Sequence, residues 1–482
     1  MKQMLLNLCL VLAAFFVSTG CLKVGPDFSL PDTGIQAPDS YLHAPAEKAT
    51  PPLQDLWWHV FGDPELNLLV EETLSNNLDI KMAAARILEV RSQFLQTRSD
   101  RFPTINLQGQ VERQSQPVIG MLPGESFRNR TDIHTLSLPA SFELDLWGRL
   151  VRAEEAARAD LLQAEEDRRT VAQTVVAETI SLYLQMESLE RRIQISLLSI
   201  ENFRRSLTLV EARYERGLSS ILDLRQARRT LAQAEAALPS LRQELGDTQN
   251  RLAVLIGRYP KTRPPRQHPE DYFKRLTPVL PGLPSDLLLR RPDIKAAEAR
   301  LVALNARVGA AKAGRFPVIT LTGSLGYISD ELGELIRPES ELWNIAAGLA
   351  QPLYDAGKLK AGQRAAEARY RQGVAEYAKT VLTAFSEVEN ALLTRREQLE
   401  RRARTLNFLN EARATQGVAE HRYMRGLVDY LTVLEAQQTR FQAEQDLVLV
   451  DLALLSNRVT FHRALGGGWA DPAPVGEEDV VF

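Results

Sequence analysis

The chain has 482 residues, a formal net charge of −3, 25% charged residues and 44% hydrophobic ones. That near balance carries no basic signal for nucleic acid, and the length allows two or three ordinary domains or one very elongated one. Beyond the N-terminus no apolar run reaches the ~18 residues of a membrane-spanning helix. A membrane β-barrel stays open, because its lipid face uses only every second residue.

Lys2 and the apolar stretch from Met4 to Val17 read as an export signal over residues 1–20, too short to span a bilayer comfortably. Ser18-Thr19-Gly20 ahead of Cys21 resembles a lipoprotein signal, in which the cysteine is acylated and becomes the new N-terminus. Ser18 stands where that pattern prefers Leu. Cys9 lies in the signal, so Cys21 has no disulfide partner in the mature chain. Leu22 follows it, not Asp, which implies sorting to the outer membrane. Residues 21–64 are proline-rich and aperiodic and read as an extended, lipidated arm.

A first repeat is expected over 65–257. Residues 65–100 are helical, opened by Asp63-Pro64 as cap and first-turn proline. Strands follow at about 103–114 and 132–146. In the first, Ile105, Leu107, Gly109 and Val111 alternate with Thr104, Asn106, Gln108, Gln110 and Glu112. In the second, Leu136, Leu138, Ala140, Phe142, Leu144 and Leu146 alternate with Ser137, Pro139, Ser141, Glu143 and Asp145. Each is about the 9–11 residues a tilted membrane strand needs. No proline then occurs until Pro239, and a helix over roughly 149–214 would be about 100 Å long at 1.5 Å per residue. Its apolar seam is Met186, Leu189, Ile193, Ile200, Phe203, Leu207, Val210 and Tyr214, a 3.5-residue period that predicts coiled-coil packing. Arg216-Gly217 ends it, since glycine serves the left-handed helix cap. A turn at 216–220 leads into a return helix over 221–256.

Residues 258–285 hold seven prolines and read as a linker. A second repeat is expected over 286–465, with strands at about 317–328 and 342–353. A long helix (358–422) has a seam of Phe385, Val388, Leu392, Leu399, Leu406 and Leu409. The turn is at 425–429 and the return helix at 429–465. Residues 466–482 read as a flexible tail. The duplication is visible directly. Arg101-Phe102-Pro103 recurs as Arg315-Phe316-Pro317, and Leu78-Asp79-Ile80-Lys81 as Pro292-Asp293-Ile294-Lys295, both at an offset of 214 (316 − 102, 293 − 79). Arg213-Tyr214-Glu215-Arg216-Gly217 recurs as Arg422-Tyr423-Met424-Arg425-Gly426 at 209 (423 − 214). The five-residue shift between these anchors predicts a longer hairpin loop in the first copy.

Several segments resemble the outer-membrane efflux factors, TolC-like channels, and within them the lipidated branch serving resistance-nodulation-division pumps. They are Val24-Gly25-Pro26-Asp27-Phe28, Trp57-Trp58-His59-Val60-Phe61-Gly62-Asp63-Pro64, Asn77-Leu78-Asp79-Ile80, Arg290-Arg291-Pro292-Asp293-Ile294, the two Arg-Phe-Pro units and Ala464-Leu465-Gly466-Gly467-Gly468-Trp469. The resemblance spans nearly the whole chain. It implies a mixed α/β membrane protein: a homotrimer in which each chain gives four strands to a 12-stranded outer-membrane barrel, continued by a periplasmic α-helical barrel. It also implies a periplasmic adaptor and an inner-membrane pump as partners. Four strands leave two open edges, and closed barrels need about eight or more, so assembly is expected on physical grounds too.

The resemblance further implies that the helical turns meet the adaptor, through Tyr214, Arg216 and Gly217 and through Tyr423, Arg425 and Gly426. Asp223, Asp429 and Glu435 follow the turns. Threefold symmetry would make each a ring of acids at a periplasmic gate. Thr432 stands where some family members have Asp, and the acidic position of others falls on Val428. The six histidines make no metal-ligand spacing and no phosphate-binding glycine loop occurs, so neither a catalytic group nor a cofactor is expected. The expected function is a passive exit duct for drugs or other toxic small molecules, metal ions included. Two alternatives remain: a duct for secreted proteins, or a non-channel coiled-coil lipoprotein that braces the envelope.

Overall fold

A computed structural model describes residues 23–44, 56–119, 126–261 and 284–467. The signal, Cys21, part of the arm, most of the linker and the tail beyond 467 lie outside the described residues. In chain order the elements are α1 (Pro64–Asn76), α2 (Leu78–Ser99), β1 (Thr104–Ile105), β2 (Gln108–Ile119), β3 (Ser126–Leu144), α3 (Arg149–Glu215) and α4 (Ile221–Ile256). Then come α5 (Pro284–Arg290), α6 (Pro292–Ala313), β4 (Val318–Ser329), β5 (Glu341–Ala350), α7 (Lys358–Met424) and α8 (Tyr430–Ala464). Two compact units divide the chain: Met1–Thr33, Ile87–Ala164 and Ala296–Tyr377 in one, Gly34–Arg86, Glu165–Lys295 and Ala378–Phe482 in the other.

The first unit holds every strand among the described residues. All pairs are antiparallel, in the order β1/β2, β3, β4, β5, with β1 and β2 both against β3. The hairpins of the two repeats thus join through β3 and β4, leaving β1/β2 and β5 as edges. The first expected strand is interrupted at Asn106-Leu107, and β3 begins six residues earlier than expected. The expected longer loop in the first copy is corrected as well. The extra length is strand: β3 has 19 residues against 10 in β5, while 11 residues (330–340) connect β4 to β5.

Trp147, just after β3, stacks on Phe316 at 4.8 Å and donates from its indole N–H to the Pro317 carbonyl at 2.8 Å. That contact seats one Arg-Phe-Pro unit against the first repeat's strand-to-helix junction. The arm is pinned there too. Val24 N–H donates to the Trp147 carbonyl at 3.0 Å, and buried Arg152 donates to the Gly25 carbonyl (3.2 Å) and to Asp27 (3.0 Å). Gly25 has a φ of +106°, and a Cβ there would lie 2.7 Å from the Gly309 Cα. The arm therefore crosses α6 where both chains lack side chains.

The second unit carries the main core. Trp58, Phe61, Leu66, Val70, Ile180, Tyr183, Leu184, Met186, Leu189, Ile256 and Val459 are all nearly fully buried. Asp63 caps α1, accepting from Glu65 N–H at 2.8 Å, and also accepts from the buried Tyr183 hydroxyl at 2.6 Å. The expected helix over 65–100 is two helices. Asn77 adopts ψ 131°, its side-chain oxygen accepts from Ile80 N–H at 2.9 Å, and its amide donates to the Leu255 carbonyl at 2.7 Å. A residue that caps a new helix and ties it to α4 ends the old one. The first seam is buried from Met186 to Val210, with Leu207 partly so, whereas Tyr214 is exposed. The second departs further: Val388, Leu392 and Leu409 are buried, but Leu399 and Leu406 are about 40% exposed. Periodicity marks an apolar face without stating whether the same chain covers it.

Candidate functional site

The pleat of the sheet sorts side chains by parity, and the register carries that sorting across all strands. One face reads in rows: Leu144–Ile319–Leu349, Phe142–Leu321–Ala347, Ala140–Gly323–Ile345, Leu138–Leu325–Trp343 and Leu136–Tyr327–Glu341, with Ile105 and Gly109 continuing the third and fifth. The opposite face holds Thr104–Ser141–Thr322, Pro139–Ser324–Asn344, Glu143–Thr320–Gly348 and Gln110–Thr135–Ile328. Ile105, Leu107, Val111, Trp343, Ile345 and Leu349 are each about 70–80% exposed. Five rows spaced two residues apart along strands tilted about 40° span about 21 Å, close to the roughly 25 Å apolar band of outer-membrane barrels. Aromatic rings bound it: Tyr327 and Trp343 at one end, Trp147 and Phe316 at the other, as interfacial girdles do. Gly326 allows the close approach of β4 to β3, since a Cβ there would fall 2.3 Å from the Leu136 carbonyl oxygen. Among the described residues no helix is long and apolar enough to cross a membrane.

The second group of expected residues lies at the helical turns. After α3, Gly217 takes φ +71°, its N–H donates to the Tyr214 carbonyl at 2.9 Å, and Leu218 N–H reaches the Arg213 carbonyl at 2.8 Å. After α7, Gly426 does the same at φ +72°, bonding Tyr423 at 2.9 Å, with Leu427 N–H on Arg422 at 2.9 Å. These are twin Schellman caps, and the space around both glycines is open. Glycine is therefore required by backbone conformation alone. Arg216 and Arg425 are exposed beside them.

The next helices start on mirrored caps. Ser220 accepts from Asp223 N–H at 3.1 Å, while Asp223 accepts from Ser220 N–H at 2.9 Å, a capping box. At the duplicated position Asp429 accepts from Thr432 N–H at 3.0 Å and from its hydroxyl at 2.6 Å. The acid has changed ends of the pair, which explains Thr432. The Thr432 hydroxyl and then its N–H hold the Asp429 carboxyl below the usual carboxylate range. Glu435 is exposed and has no partner among the described residues.

Tyr423 differs from its expected place at the tip surface: it is 5% exposed, while Tyr214 is 40% exposed. The Tyr423 ring lies 5.6 Å from Tyr430, under the Arg213 guanidinium at 4.8 Å, and its hydroxyl is 3.2 Å from the Ser219 hydroxyl. Ser219 also donates to Asp223 at 3.3 Å. A polar chain of Asp223, Ser219 and Tyr423 therefore ties the first turn to the second, over an apolar floor of Val210, Leu224, Tyr430, Val433 and Leu434. Burial, Tyr423 and Asp223 push the Tyr430 phenol up to about 12, so the Tyr430 ring carries no charge at neutral pH. Neither Arg213 nor Ser219 has a role at the site from sequence alone: Arg213 enters only within the duplicated Arg-Tyr pair, and Ser219 leaves no trace.

A membrane-type sheet leading directly into a 67-residue helix from each hairpin, with paired capped turns at their far ends, defines an outer-membrane channel. The chain belongs to the outer membrane efflux protein family, whose model matches residues 69–258 and 283–467. It is 33% identical over 466 residues to the cation efflux system protein CusC of Escherichia coli O6:H1, covering 96% of this chain and 98% of that one. It is 34% identical over 411 residues to the solvent efflux pump outer membrane protein SrpC of Pseudomonas putida, covering 85% and 87%. Among solved structures, the outer-membrane channel OprN superposes with a TM-score of 0.86 at 32% identity, over 93% of this chain and all of that one. A CusC structure superposes at 0.82 and 31% identity, over 92% and 99%.

Proposed function

We infer that three copies of this chain close one barrel and form the passive exit duct of a tripartite efflux system, fed by an inner-membrane pump of the resistance-nodulation-division type through a periplasmic adaptor. The observation that carries this is the sheet: an apolar outer face on four strands with an open edge at each side. A barrel of about 12 strands satisfies every edge group and leaves a polar lumen. The lumen side of small polar residues offers no chemistry, so the duct conducts and the pump supplies energy and selection. The relatives named for cations and for solvents favour small toxic solutes, ions among them, over secreted proteins as cargo.

The finer assignments belong to the same reading. Cys21 bears the lipid anchor, and the arm that follows it in sequence is pinned at the strand-to-helix junction through Val24 and Arg152. Arg216, Gly217, Arg425, Gly426 and Tyr214 present the turns to the adaptor, while Tyr423 works from beneath them. Glu435 is the acid best placed to line a cation-attracting ring, since Asp223 and Asp429 are engaged as caps. The Asp223–Ser219–Tyr423 chain holds the two turns together in the closed state.

The test is the native mass of the detergent-extracted mature protein, with susceptibility of a deletion strain. A trimer, together with hypersensitivity to dyes or detergents that the gene restores, is expected. A stable monomer would leave the strand edges unsatisfied and overturn the duct in favour of an envelope brace.

A further inference from the structure

The outward parity does not stop where the apolar rows stop. On β3 the face that carries Leu138 and Leu136 continues through His134, Asp132, Arg130 and Arg128. On β2 the residues opposite are Val111, Arg113, Ser115 and Pro117. The other face of the same stretch pairs Glu112 with Ile133, Gln114 with Thr131 and Gln116 with Asn129. All three arginines are thus sorted to the lipid-facing side, and none faces the lumen side. Charge placed only for solubility would have no reason to choose a face.

Arg113 and Asp132 form a bidentate pair at 2.6 and 2.6 Å. Arg128 and Arg130 are exposed and carry no ion pair among the described residues. The β4 partner ends at Ser329 opposite His134, so within one chain this ladder stands on β2 and β3 alone. With about 3.4 Å per residue and a tilt of about 40°, rows 132, 130 and 128 stand about 10, 16 and 21 Å above Leu136.

We propose that this arginine ladder is a docking surface for the phosphate groups of an outer-leaflet glycolipid with a tall, phosphorylated saccharide head. Three features select that occupant. The ladder is continuous with the lipid-facing band, so its neighbour in the membrane is a lipid headgroup. Its free charges are guanidinium groups, whose planar forks bind phosphate bidentately. Its height exceeds the roughly 5–8 Å of an ordinary phospholipid headgroup layer, so only a head that carries phosphate well above the acyl chains meets the upper rows. This rests on the barrel reading above.

The experiment uses the full lipidated protein in mild detergent, titrated with bis-phosphorylated lipid A carrying its core saccharide and read by native mass spectrometry. Phosphatidylglycerol and the dephosphorylated glycolipid serve as comparison lipids. Arg128→Gln/Arg130→Gln is expected to weaken retention of the phosphorylated glycolipid at least tenfold, with trimer mass and lipid-free melting unchanged. Arg369→Gln/Arg371→Gln, an equal charge change on α7, is expected to leave retention as in wild type. Retention by the ladder variant equal to wild type, or phosphatidylglycerol held as well as the glycolipid, would overturn the proposal. Loss of the lipid-free trimer in the ladder variant would overturn it as well, assigning the arginines to acids of a neighbouring copy, such as Glu331 or Glu339. A wild-type protein that never forms a trimer would instead sink the duct itself.

Discussion

Tyr423 and Tyr214 show how one duplicated residue acquires two roles. Both follow an arginine and precede a capped turn, yet Tyr423 is enclosed by Arg213, Tyr430 and Ser219 while Tyr214 faces outward. Tyr423→Phe keeps the ring in its apolar floor and removes only the hydroxyl that reaches Ser219. The expected outcome is a larger single-channel conductance, or faster vancomycin entry, with a stability loss of about 1 kcal/mol, the usual worth of one hydrogen bond. Unchanged permeability would leave Tyr423 as packing alone. At this scale the sequence disclosed little. The glycines announced the turns, because left-handed φ has so few tenants. Which tyrosine is buried depends on neighbours more than 200 residues away. The acids after the turns look alike until Ser220 and Thr432 show that two of the three are engaged as caps.

Among the elements, α8 is held at two polar points. Asp451 is almost fully buried and accepts from Arg402 at 2.6 Å, with Arg191 3.9 Å away. It joins α8 to both long helices. Asp451→Ala would leave two partly buried guanidinium groups without their shared carboxylate, and a cost of about 3–5 kcal/mol is expected, read as a lower melting temperature of the trimer. Near the C-terminal end of α8, His462 stacks on Trp57 at 4.7 Å, and burial, then Arg458, pushes its pKa down to about 3 from 6.5. The unfolded chain binds this proton below about pH 6.5 while the folded chain refuses it until about pH 3. Stability therefore rises with pH across that window, by at most a few kcal/mol from this residue. Melting followed from pH 4 to 7 in wild type and in His462→Phe checks it; equal slopes would refute the assignment. The long helices and alternating strands were legible because one periodicity persists over many residues. The break at Asn77 was not, since a single side chain bonded to Leu255 decides it. Nor was the full length of β3, whose upper half carries only polar residues on the outward parity, from Arg128 to His134.

For the whole molecule, the telling feature is apolar surface that one chain leaves uncovered. In the unit with the sheet it is the outward face and both edges; in the other unit it is Leu399, Leu406 and Phe408 on α7. The first has lipid for a partner. The second stands on a helix with charged neighbours such as Arg401 and Arg404, on an element of a periplasmic barrel, where water is the alternative. Leu399 and Leu406 are seven residues apart, a coiled-coil repeat that the described residues of its own chain leave about 40% exposed, which is why the seam was legible and its exposure was not. A neighbouring copy is the natural cover, and each leucine then contributes about 1–2 kcal/mol of burial per interface. Leu399→Glu/Leu406→Glu would place two carboxylates where those contacts form, three times around the ring. The expected result is a protein whose helix content by circular dichroism matches wild type but whose native mass falls from trimer to monomer, with efflux lost in complementation. A trimer that survives both substitutions would mean that strand closure alone holds the assembly and that this face of α7 stays in water.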